Sequence, residues 1–162
     1  YDFVPGYVKE QLQDYLEPKR GICYMDRTLC PDPFHDGEDY LNEVFFGAQC
    51  YDLIDRSMQA ILEYEDEYSA HDWRSLVQMC DHKYLMRKRY QYMVQHGYAA
   101  MDDTLHEELE TLEKESLIAQ NMYIKYTVTD DLETIRRLRE RLQAMKQKDI
   151  CATKTLISLV EA

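Results

Sequence analysis

After Pro33 the chain contains no further proline, and beyond Gly37 only Gly47 and Gly97 interrupt it. In a helix interior, proline costs about 3 kcal/mol and glycine about 1 kcal/mol relative to alanine. A stretch this poor in breakers is free to form long helices. Alternation of apolar and polar residues is absent over any useful length, and no internal repeat is visible. Strand-based and repeat architectures drop out, and an all-α fold is expected.

The apolar spacing places the elements. A short helix is expected from about Gly6 to Leu16, stopped by Pro18. A loop from Lys19 to Gly37 follows, carrying Cys23, Cys30, Pro31 and Pro33. A first long helix should start near Glu38, with Tyr40, Val44, Cys50 or Tyr51, Ile54, Met58, Ile61 and Leu62 at three-to-four spacing. The acidic run from Glu63 to Glu67 marks its tip. Ser69 suits the N-cap of a second helix over 70–96, with Trp73, Leu76, Val77, Cys80, Tyr84 and Met93 inside and Gly97 as C-cap. A third helix is expected over 103–126, carrying Leu105, Leu109, Leu112, Ile118 and Met122. A turn is expected at Thr127, Val128 and Thr129. Asp130 would cap a fourth helix carrying Leu132, Ile135, Leu138, Leu142 and Met145. The chain thus divides into an extended irregular segment (1–37), a helical hairpin (38–97) and a C-terminal helical hairpin or pair of docking helices (98–162).

Hydrophobic residues make up 45% and charged residues 31% of the 162 residues, which suits a folded chain. The net charge of −12 argues against nucleic acid and against an anionic membrane surface as partners. The longest apolar run, Val44 to Ala48, is far too short to span a bilayer. No signal or transit peptide is visible, and the start at Tyr1 leaves a removed presequence open.

Of the five cysteines, Cys50 and Cys80 are the informative pair, each 15 residues from position 65, where the first two long helices should turn. At about 1.5 Å per residue, both sit roughly 22 Å from that tip and level with each other. A disulfide there would close a loop of about 30 residues, worth roughly 3–4 kcal/mol in the chain-entropy model. Two buried free thiols are the alternative. Cys23 and Cys30 suit a local disulfide, and a zinc site with His35 lacks the usual four ligands. Cys151 is left as a lone thiol in a helix.

The chain reads Cys50, nine residues, Ala60, and Ala70, nine residues, Cys80. This resembles the twin C-x9-C (CHCH) family of the mitochondrial intermembrane space, with the outer cysteine pair kept and both inner cysteines replaced by alanine. His71-Asp72-Trp73 and Cys80-Asp81-His82-Lys83 look like the second such helix of the twin-cysteine accessory subunits of respiratory complex I, although the two motifs stand about one turn further apart here. The likeness covers roughly residues 48–92. It implies oxidative folding in the intermembrane space, peripheral to the inner membrane, and a structural role bracing neighbouring subunits.

Catalytic chemistry has little to stand on. A di-iron bundle needs Glu-x-x-His on two helices, and only His35 and His106 have a carboxylate three residues earlier, Asp32 and Asp103. No phosphate-binding glycine loop or zinc-protease motif is present. No cofactor and no metal are expected. The 14 tyrosines, among them Tyr84, Tyr90 and Tyr92, suit either an interface or a thin core. The acidic stretch from Asp102 to Glu115 and the basic residues Arg136, Arg137, Arg139, Arg141, Lys146 and Lys148 could pair two helices antiparallel, or could both be solvated. The narrow stripe Leu132, Ile135, Leu138 and Leu142 suits docking on a partner groove. The expectation is a non-catalytic accessory subunit of a respiratory complex, complex I first. The alternatives are an acidic docking subunit for cytochrome c, a di-metal carboxylate bundle, and a generic helical adaptor of another large assembly.

Overall fold

A computed structural model describes residues 4–17, 47–63 and 74–160. Helix α1 spans Pro5–Leu16, with proline in the first turn, where its missing N–H costs nothing. A 3-10 turn at Gly47–Gln49 leads into α2, Cys50–Glu63. Then come α3 (Arg74–Gln95), α4 (Asp103–Thr129) and α5 (Leu132–Leu159). No strand is present among the described residues, as the sequence pattern requires.

Helices α3, α4 and α5 follow one another antiparallel through short connections. At the first joint Gly97 takes φ +70, its N–H donates to Val94 O (3.1 Å), and Tyr98 N–H donates to Met93 O (2.8 Å). This is a Schellman ending, which glycine adopts without strain. Asp102 then caps α4 by accepting from Leu105 N–H. At the second joint Asp130 sits in the left-handed region (φ 51) and Asp131 caps α5 through Glu133 N–H. The base is closed by Ala100 N–H donating to Leu159 O at 3.1 Å.

Two helices in succession make the remaining column. Tyr15 near the end of α1 meets Asp149 in the middle of α5, while Asp52 and Asp55 of α2 meet Lys146 and Arg139 further back. Both therefore run antiparallel to α5, α1 along its C-terminal half and α2 along its N-terminal half. The result is an up-and-down four-helix bundle with a split first column. At the split, Gly47 (φ +53) lies so close that an added Cβ would stand 2.0 Å from Tyr15 O. No other residue fits there.

Three expectations change. The turn lies at Asp130–Asp131, not at 127–129, because Thr127 and Thr129 hydroxyls donate to the carbonyls of Ile124 and Lys125 and ride in the last turn of α4. Secondly, α2 packs on α5 and α3 on α4, so α2 and α3 face each other across a cleft rather than as a tight hairpin. Thirdly, the inner face of α3 is Leu76, Met79, Lys83, Met86, Tyr90 and Met93. The sequence reading was rotated towards Val77, Cys80 and Tyr84, and Tyr84 is 46% exposed. The expected helix start near Glu38, the Ser69 cap and Trp73 lie outside the described residues.

The acidic and basic faces of α4 and α5 meet at Arg141 and Glu115. Elsewhere Arg139 and Lys146 reach α2, Arg87 of α3 holds Glu113 of α4, and Arg136 and Arg137 pair with Glu133 on their own helix. Such partly solvated pairs contribute about 0–1 kcal/mol each and set helix order more than stability.

Candidate functional site: a buried ionic clasp and an outer apolar face

Lys83 and Asp149 occupy core positions of α3 and α5, with side chains 2% and 3% exposed. Their charged atoms are 2.5 Å apart. Lys83 Nζ also donates to the Tyr15 hydroxyl at 2.9 Å and lies 3.3 Å from His82 Nδ1. Tyr15 in turn donates to the same Asp149 oxygen. The ammonium sits against the rings of Tyr15 and Tyr51, 5.2 and 5.4 Å from their centroids. The His82 ring stacks on Tyr15 at 5.0 Å. Four helices thus meet at the split in the first column.

Electrostatics follow from burial. Desolvation lowers the Lys83 pKa, against the opposing pull of Asp149. The Tyr15 and Tyr51 phenols are pushed far above their ordinary range, first by burial and then by the Asp149 charge. Burial and the neighbouring Lys83 hold His82 down at about 4. Tyr51 Oη feels Asp149 but makes no hydrogen bond of normal geometry. Two of the ammonium's three protons go to Asp149 and Tyr15, and His82 Nδ1 stands 3.3 Å from Nζ. A cleft of about 330 Å³ between α2 and α3 reaches Lys83. Both phenols stay protonated at neutral pH. The arrangement acts as a lock that fastens α1 and α2 to α3 and α5.

The lock carries a pH signature. A base whose folded pKa lies below its unfolded value loses stabilisation as pH falls. For His82 the window runs from the ordinary value of 6.5 down to about 4. Between pH 7 and pH 5 the folded state should lose about 2 kcal/mol through this group alone. Urea unfolding of the wild type and of His82→Gln at both pH values checks this. Equal losses in the two proteins would show that His82 is not the buried neutral ring described.

The sequence-derived docking residues separate into two groups. Tyr84 and Tyr92 are exposed at 46% and 53%, whereas Tyr90 is fully buried, its hydroxyl accepting from Asp102 N–H at 2.7 Å. Ile135, Leu138 and Leu142 lie in the core and Leu132 packs beside it. They are not a docking stripe, because α4 covers one flank of α5 and α2 the other. The expected disulfide between Cys50 and Cys80 is likewise absent. Tyr51 stands opposite Lys83, which shifts the register by about one turn from the one expected, and Cys80 turns to α4, 3.4 Å from Gln120 Oε1. Burial raises both thiols above their usual pKa. Cys151 is an exposed free thiol on α5. Cys23, Cys30 and His71-Asp72-Trp73 lie outside the described residues.

A surface that sequence reasoning missed lies on α4. Its core face carries Leu105, Leu109, Leu112, Ser116, Ala119, Tyr123 and Tyr126. On the opposite side Leu117, Ile124 and Val128 are 54%, 42% and 78% exposed. Their spacing of seven and four puts them on one line, with Asn121 between. Towards the N-terminus the same helix exposes Asp103, Glu107, Glu108 and Glu110.

Among the described residues no three His, Cys, Asp or Glu side chains converge as metal ligands, and no helix is long and apolar enough to cross a membrane. No family model, curated protein or solved structure matches the chain.

Proposed function

We propose that this chain is a non-catalytic helical subunit that binds another protein of a larger assembly along the outer face of α4. One observation carries the reading. α4 already satisfies its core side, yet presents a second apolar line at Leu117, Ile124 and Val128. Water gains nothing from such a line, and apolar surface of this kind marks contact sites. The acidic N-terminal half of the same helix selects the partner's chemistry: an amphipathic helix with an apolar stripe beside a basic segment.

The finer assignment, to a respiratory complex on the intermembrane-space side, rests on the sequence likeness of the Cys50 and Cys80 segments, and the missing Cys50–Cys80 disulfide gives it no support. The acidic half of α4 also suits a basic electron carrier. Binding that collapses with salt while surviving loss of the apolar line would favour that second reading.

The test is Leu117→Glu with Ile124→Glu, expressed in cells of the source. Wild-type chain should migrate in a high-mass complex on a sizing column, and the variant should elute as the free chain with unchanged helicity. Losing two central apolar anchors weakens interfaces of this sort by roughly tenfold or more each. A variant that stays in the complex would remove the reading.

A further inference from the structure

The split column leaves a second cleft, between α1 and α3, of about 580 Å³. Its floor is the apolar core edge of Leu12, Met86 and Leu156, all buried. Its lips are Tyr7 and Tyr92, 61% and 53% exposed. The charges at the cleft are unlike those of the rest of the molecule. The chain carries 31 acidic against 19 basic residues, yet no acidic residue lines the cleft, and Lys88 and Arg89 do. Neither cation forms an ion pair among the described residues, although Lys88 lies against the Tyr84 ring.

We propose that this cleft binds an anionic amphiphile with a single medium-length acyl chain, the chain lying between Tyr7 and Tyr92 and the headgroup meeting Lys88 and Arg89. The volume lies in the range of about 300–1,000 Å³ usual for small-ligand pockets. A flexible methylene chain conforms to the irregular methionine-lined floor, which itself adapts. The cations then supply the head selectivity that the apolar walls cannot. This site is independent of the α4 face, so failure of one leaves the other standing.

Calorimetric titration of the whole chain with decanoate, decan-1-ol and decyltrimethylammonium, each below its micellar concentration, tests the proposal. Decanoate should bind one-to-one and at least tenfold more tightly than the alcohol or the cation. Lys88→Glu with Arg89→Glu should weaken decanoate at least tenfold and leave decan-1-ol unchanged, at unaltered helicity. Should the double charge reversal unfold the chain, Leu85→Glu at the exposed rim serves in its place and should weaken both ligands. Equal affinity for the three probes, no binding, many-to-one stoichiometry, or indifference to these substitutions would each overturn it. So would an acidic amphipathic peptide that displaces decanoate and binds more tightly, since the cleft would then belong to a protein partner.

Discussion

Replacing Lys83 with methionine should destabilise the folded chain by about 3–5 kcal/mol, because it strands the Asp149 carboxylate in the core. Asp149 is 3% exposed and would keep only the Tyr15 hydroxyl as a donor. For a chain of this size the corresponding fall in melting temperature is roughly 6–20 °C. The double variant Lys83→Met, Asp149→Leu should recover most of the loss, since two apolar side chains of similar volume need no compensation. Urea unfolding of the single and double variants closes the cycle. A Lys83→Met cost below about 1 kcal/mol would mean that water reaches the pair and that the clasp does not exist as described. Recovery in the double variant would further show that the pair contributes register rather than net stability, by fixing where the broken column meets the other three helices.

The same two residues show what could be read from the sequence. The helical class, the α1 span and the Gly97 ending follow from local chemistry: breaker content, proline in the first turn and glycine at φ +70, whereas the cap of α5 falls on Asp131 and the expected Asp130 instead ends α4. The clasp depends on which face of α3 turns inward. Leu76, Met79, Met86, Tyr90 and Met93 form one clean line, and Lys83 falls on it. A lysine is ordinarily solvated, so the natural reading rotates the helix to spare it and brings Cys80 and Tyr84 inward instead. The opposite charge at the matching core position of α5, among Leu142, Met145, Ala152 and Leu156, was the available signal. Two opposite charges on two core lines mark a buried pair more surely than either mark alone. The pairing of α2 with α5 had no local signal at all. It arises because α1 and α2 share one column, which the apolar spacing of neither helix announces. The Cys50 and Cys80 reading failed for that reason: equal distance from an assumed tip fixes the level of two residues but not the faces they occupy.

Leu138→Ala is the second large effect, and it separates a core stripe from a docking stripe. Leu138 is fully buried between α4 and α2, with Ile135 and Leu142 on either side. Truncation should cost about 2–5 kcal/mol in the isolated chain, through lost transfer energy and a cavity that packed neighbours cannot close. A leucine waiting for a partner would behave otherwise. In the free protein its truncation would fall within about 0.5 kcal/mol of neutral, and the loss would surface only on binding. Leu117→Ala on α4, at 54% exposure, supplies that contrast within the same molecule. Urea unfolding of the two variants, at unchanged slope, should place them on opposite sides of about 1 kcal/mol. Were Leu138→Ala the neutral member of the pair, α5 would be open to a partner and α2 would lie elsewhere. The four-helix arrangement around the clasp would then fail with it.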